Sequence, residues 1–106
     1  MAFHMYVTIQ DEDQIIRFLM DPATGKLERQ GVVEVAGGPA PLAINPTRTS
    51  LYVGQRRDMK LSSFAIDQAT GDLTPTGSVA IGGETCYVST DRTGRFALSA
   101  YYQAGH

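Results

Sequence analysis

Leu51-Tyr52-Val53-Gly54, and then Ser63-Phe64-Ala65-Ile66-Asp67-Gln68-Ala69-Thr70-Gly71-Asp72-Leu73, restate an earlier part of the same chain. Met5-Tyr6-Val7-Thr8 and Arg17-Phe18-Leu19-Met20-Asp21-Pro22-Ala23-Thr24-Gly25-Lys26-Leu27 stand 46 residues upstream of them. A repeat of about 40–50 residues that carries short strands is the mark of propeller blades. The fold expected is therefore all-β, with blades of four antiparallel strands.

Within each copy the elements follow from residue type. Phe3 to Ile9 is rich in β-formers and reads as a strand, followed by the polar loop Gln10 to Asp13. Ile15 to Met20 is a strand with Ile16, Phe18 and Met20 on one face. Asp21 to Lys26 is a tight connection in which Gly25 supplies a left-handed residue. Leu27 to Val35 and Pro41 to Asn45 are further strands, separated by Ala36-Gly37-Gly38-Pro39. The cycle restarts with strands over Leu51–Gly54, Leu61–Ile66 and Leu73–Ile81. Cys86 to Thr90 and Phe96 to Tyr101 open a third copy. The glycine pairs Gly37-Gly38 and Gly82-Gly83 are 45 apart, which reads as one residue lost after Gly31 and Gly77. No window carries a helical period, so no helix is expected. Phe18 with Phe64, and Met20 with Ile66, are expected to pack between blades.

The chain has 106 residues, while four to eight such blades need roughly 180–370. It is expected to be part of a larger ring: a partial blade over 1–36, a full blade over 40–80 and a partial blade over 84–106. The net charge of -2 and scattered Lys and Arg exclude a basic nucleic-acid surface. Cys86 is the only cysteine, which fits a reducing, cytoplasmic setting and reads as a small buried residue of an inner strand. No apolar run reaches the ~20 residues of a membrane-spanning helix.

The Leu-Tyr-Val-Gly strand, the Phe-x-Ile-Asp and Ala-Thr-Gly-x-Leu segments, the paired glycines and Asp91-Arg92-Thr93-Gly94-Arg95-Phe96 together resemble the lactonase family of seven-bladed β-propellers. Ser99 to His106 is similar to that family's Ala-Asn-Tyr-Gly-Ser-Gly segment, with Tyr102 on the tyrosine and Gly105 on the second glycine. The resemblance implies a fragment of a seven-bladed propeller, with the strand after each glycine pair lining the channel. It also implies a lactone hydrolase acting on a small, anionic sugar-acid lactone. A muconate-type cycloisomerase and a non-catalytic interaction module are the alternatives.

Strand alternation sorts the loops onto two faces. Gln10 to Asp13, the two glycine loops, Gln55 to Asp58 and Tyr101 to His106 share the face where a channel mouth lies. Arg56 and Arg57 are the candidates for binding a carboxylate or phosphate bidentately, against the plainer reading of a solvated loop pair. His106 is the candidate general base, in a slot held by Ile15 and Leu61 in the other copies, or else a frayed end. Glu84 is a candidate acid/base carboxylate or a loop-tip charge. Tyr102 is a candidate to stack on a sugar ring or bond it, or to pack. His4 lies at the far end of its strand and is set aside. The glycine pairs precede no helix, so they serve to turn the chain inward rather than to cradle phosphate. No metal-ligand spacing is present and no cofactor is expected. The partners expected are the lactone and a second chain that supplies the remaining blades.

Overall fold

The computed structural model describes residues 3–93 and 97–101. Nine strands follow in chain order: β1 Phe3–Ile9, β2 Gln14–Met20, β3 Leu27–Glu34, β4 Pro39–Ile44, β5 Ser50–Gln55, β6 Lys60–Ile66, β7 Leu73–Ala80, β8 Thr85–Thr90 and β9 Ala97–Tyr101. They form three antiparallel sheets in the orders β1-β2-β3, β4-β5-β6-β7 and β8-β9. Among the described residues the one departure from strand and turn is a single 3-10 turn at Gln10–Glu12. The architecture is that of stacked propeller blades.

The repeat is visible in hydrogen bonds as well as in residue names. Asp21 Oδ1 accepts the Ala23 N–H, and Asp67 Oδ1 accepts those of Ala69 and Thr70. Gly25 and Gly71 close these turns with φ of 73° and 77°, a region that glycine enters without steric cost. The bonds from Thr70 and Ala69 hold the Asp67 carboxyl below its usual range. Both copies also bulge at the same place. Gln30 in β3 and Thr76 in β7 are each skipped by the pairing beside Gly31 and Gly77.

The register shows that the spacing of 46 is kept in the inner strands. Pro39 pairs with Gln55, and Thr85 pairs with Tyr101. The spacing of 45 seen at the glycines is thus confined to the loop. Glu84 is the extra residue that restores 46 before Thr85.

The core is a seam between the first two sheets. Ile15, Leu51 and Val53 are fully buried, Val35 and Phe64 nearly so, and Tyr6, Val33, Leu42, Ile66 and Leu73 pack against them. Phe64 and Ile66 therefore lie between sheets as expected. Phe18 and Met20 do not share that seam. Alternation along β2 sets Ile16, Phe18 and Met20 opposite Ile15 and Arg17, on the other face of the first sheet, where they are half-buried. Cys86 also departs from expectation. It is skipped by the pairing between Thr85 and Tyr87, a bulge position, and it is exposed.

Polar ties reinforce the seam at the face of the Ala-Thr-Gly turns. Tyr6 Oη donates to the Gly71 carbonyl at 2.7 Å. Arg17 Nη1 donates to the Thr70 carbonyl at 3.2 Å, and Nη2 pairs with Asp72 at 3.0 Å. His4 lies over Gly71, where an added Cβ would fall 2.5 Å from Nδ1. Thr8 Oγ1 donates to the Ala40 carbonyl at 2.7 Å.

Two stability changes follow. Phe64→Ala removes the largest ring of the seam, and urea denaturation is expected to show a loss of about 3–5 kcal/mol. Tyr6→Phe leaves the Gly71 carbonyl without its donor and is expected to cost about 0.5–1.5 kcal/mol at neutral pH. Burial raises the Tyr6 phenol above 10.0, opposed by Arg17. The folded state thus holds this proton more tightly than the unfolded chain. Its contribution is complete below pH 10 and is lost as pH rises through the raised value. Thermal melts between neutral and strongly alkaline pH should show a shallower alkaline decline in Tyr6→Phe than in the parent protein.

Candidate functional site

The loops at one end of the sheets are woven together, and glycine makes the weave feasible. Gly37 and Gly38 have φ of 89° and 76° and are buried. Their carbonyls face the β5–β6 loop. Gly37 O accepts the Arg57 N–H at 2.9 Å and the Asp58 N–H at 3.3 Å, and Gly38 O accepts the Arg56 N–H at 2.9 Å. A Cβ on Gly37 would meet Asp58 Oδ2 at 2.5 Å. The buried Gln55 side chain ties the same loop from below. Its Nε2 donates to the Ala36 carbonyl at 2.8 Å and its Oε1 accepts from Ser62 Oγ.

Asp13 is the third strand of the weave. It takes a left-handed conformation with φ of 55°, as Met59 does with φ of 52° at the equivalent place in the second copy. The Asp13 carbonyl accepts the Val35 N–H at 2.8 Å, and the Met59 carbonyl accepts the Ile81 N–H at 2.8 Å. Asp13 Oδ1 accepts the Gly38 N–H at 3.0 Å and also pairs with Arg57 Nη2. In the sequence Asp13 is only the last residue of a polar loop. The signal that marks it out is its position, the residue before each second outward strand, where the next copy carries Met59.

The candidate residues then sort themselves. Arg57 is half-exposed and is occupied by Asp13. Arg56 is more enclosed, with its side chain 30% exposed, and its Nη2 stands 3.5 Å from Glu84 Oε2. Its Nε is buried and has no hydrogen-bond partner among the described residues. Glu84, the extra residue of the second glycine loop, is 47% exposed. Arg56 and Glu84 therefore come together across two adjacent sheets, and Arg57 joins the first sheet to the second. His106 and Tyr102 lie outside the described residues.

Chemically, this end offers a guanidinium whose buried Nε–H has no partner among the described residues, beside one loosely held carboxylate. Such a group takes anionic oxygens, because planar N–H donors match carboxylate and phosphate. A groove of about 550 Å³ lies at the opposite end, lined by Phe3, His4, Tyr6, Ile44, Arg48 and Gln68 among others. It flanks β1, which is the edge strand of the first sheet.

Comparison with known proteins agrees with this fold. Residues 4–106 match the family model described as "Lactonase, 7-bladed beta-propeller". A 6-phosphogluconolactonase of Klebsiella pneumoniae is 36% identical over 98 residues, which are 92% of this chain and 30% of that protein. The 6-phosphogluconolactonase of Pectobacterium atrosepticum is 39% identical over 98 residues, 92% of this chain and 29% of that protein. Among solved structures, one from Bacteroides fragilis, described as a candidate 6-phosphogluconolactonase, superposes with a TM-score of 0.80 at 22% identity. It covers 90% of this chain and 28% of the other. The periplasmic gluconolactonase PpgL of Pseudomonas aeruginosa gives a TM-score of 0.65 at 29% identity, over 70% of this chain and 21% of the other. The chain thus spans about a third of the length of the curated relatives it matches. On its repeat, its stacked four-stranded architecture and these matches, the chain belongs to the lactonase family of seven-bladed β-propellers.

Proposed function

We propose that this chain is part of a lactone hydrolase that acts on a small, anionic sugar-acid lactone. The observation that carries the reading is Arg56: a half-buried guanidinium at the end where the loops converge, with a buried N–H that has no partner among the described residues. The matched relatives are named 6-phosphogluconolactonases, and a phosphorylated sugar lactone has the charge that such a group holds. No observation favours a cycloisomerase or a purely structural propeller over this.

In this reading Arg56 anchors the anionic end of the substrate. Arg57 assists through its backbone N–H, which fixes the loop, more than through its side chain, which Asp13 occupies. A water oxygen attacks the lactone carbonyl carbon while a base takes its proton. The ring C–O bond then breaks, and the departing oxygen takes a proton to give the open acid. His106 is assigned the base by its residue type, since a spacing of 46 sets it level with Gln14 and Lys60 rather than with Ile15 and Leu61, and Tyr102 a hydrogen bond or stacking contact with the sugar. Glu84 faces Arg56 and is not assigned the base.

The chain contributes a partial blade over 1–36, a whole one over 40–80 and another partial one over 84–106. The remaining blades belong to the rest of the complete ring. They cover the half-buried face of Ile16, Phe18 and Met20, and an inner strand pairs with the edge of β1 beside the 550 Å³ groove. A cytoplasmic setting suits the single exposed cysteine.

The test is kinetic, on the complete protein. Arg56→Ala is expected to raise KM for 6-phosphogluconolactone at least ten-fold, with a much smaller effect on uncharged gluconolactone. Equal turnover of the anionic lactone by parent and variant would overturn the assignment.

A further inference from the structure

We infer that Glu84 is an internal competitor for Arg56, a carboxylate that occupies the anion site until a ligand displaces it. The inference rests on the reading of Arg56 as an anion anchor and adds a residue that sets its affinity.

Three observations carry it. First, the pair is loose. Its 3.5 Å separation is longer than the 2.7–2.9 Å of a good charge-assisted bond, and Glu84 reaches one nitrogen of the guanidinium only. Second, the Arg56 Nε is closed to solvent and has no hydrogen-bond partner among the described residues, so its bonding capacity is unused while Glu84 is in place. Once Glu84 has swung out, a ligand with two or three anionic oxygens satisfies Nε and Nη2 together, which the single Glu84 oxygen does not. Third, Glu84 is free to leave. It is nearly half exposed, and it is the extra residue of its loop, absent between Gly38 and Pro39 in the first copy. Its carboxylate is re-solvated at little cost when it swings out, since exposed ion pairs contribute little.

The geometry therefore predicts a selectivity filter. A neutral sugar cannot displace Glu84 from Arg56. A singly charged carboxylate exchanges for it at near parity. A phosphate ester, with more oxygens and charge, gains by the exchange. Glu84 thus lowers affinity by one common factor for every anion that displaces it, and only anions that bind Arg56 more strongly than a carboxylate does overcome that factor.

Calorimetric titration of the intact protein with 6-phosphogluconate and with inorganic phosphate, at low salt, tests this. Glu84→Gln is expected to tighten phosphate binding about two- to five-fold, the scale of one exposed ion pair. Glu12→Gln, which removes an exposed charge from a loop on the same face, is expected to leave affinity unchanged. In Arg56→Ala the gain from Glu84→Gln is expected to vanish. A structural role for Glu84 would give weaker binding in Glu84→Gln, and that result, or no change, overturns the competition. An equal gain from Glu12→Gln would reduce the effect to general charge and also overturn it. If Arg56→Ala binds both anions as the parent does, the anchor reading itself fails, independently of Glu84.

Discussion

The structure depends on covering the faces of its sheets. A four-stranded antiparallel sheet with apolar residues on both sides cannot leave either side in water. The second sheet meets this demand twice. Leu51, Val53 and Phe64 bury one face against Ile15 and Val35 of the first sheet. Gly54 lets the other face approach the third sheet so closely that a Cβ there would overlap Thr85 at 2.1 Å. Stacking the sheets in this way also brings their end loops together. The end-loop cluster is a consequence of the seam: Asp13 meets Gly38 and Arg57, and Arg56 meets Glu84, only because the three sheets that carry them are packed.

Much of the fold was legible in the residues, since turn chemistry and strand alternation are local. The Asp-x-Ala-Thr-Gly turns required a left-handed glycine, and Gly25 and Gly71 supply it. The expected strands are present among the described residues with ends that differ by a residue or two: β4 starts two residues early, and β3 and β7 stop one residue short. What escaped was whatever depends on register. The spacing of 45 at the glycines looked like a permanent loss, yet the pairing of Pro39 and Thr85 shows it made good within one loop. Cys86 was placed inside because small apolar residues favour inner strands, but a bulge, which composition does not reveal, leaves it exposed. Phe18 and Phe64 occupy equivalent places and so face the same way around the ring. Only one of them has a neighbouring sheet in the described molecule.

The candidate site was legible in part. Arg56 and Glu84 were both singled out, but for separate tasks, because 28 residues part them and nothing local links a β5–β6 loop to the next glycine loop. Arg57 seemed equivalent to Arg56 in sequence. The difference between them is made by Asp13, 44 residues upstream, which binds one arginine and not the other. Electrostatic pairing across sheets is a property of the stack and has no signature along the chain. His106 and Tyr102 rest on the sequence alone.

The two junctions between sheets are built on one plan but are not interchangeable. Between the first and second sheets the ties are made by His4, Tyr6, Thr8 and Arg17. The positions 46 residues on are Ser50, Tyr52, Gly54 and Ser63. Tyrosine is kept, at Tyr52. The arginine is replaced by serine, and Ser63 turns instead to Thr76 and Gly77 of its own sheet. Threonine gives way to glycine, which trades a hydrogen bond for closeness. Arg17 and Asp72 form a partly exposed pair of modest energy, so its value lies less in strength than in fit. Identical wedges would stack in any order. Wedges that share an apolar seam but differ in their polar ties fix which neighbour belongs where, and a repeat protein with a functional site on particular blades requires that order.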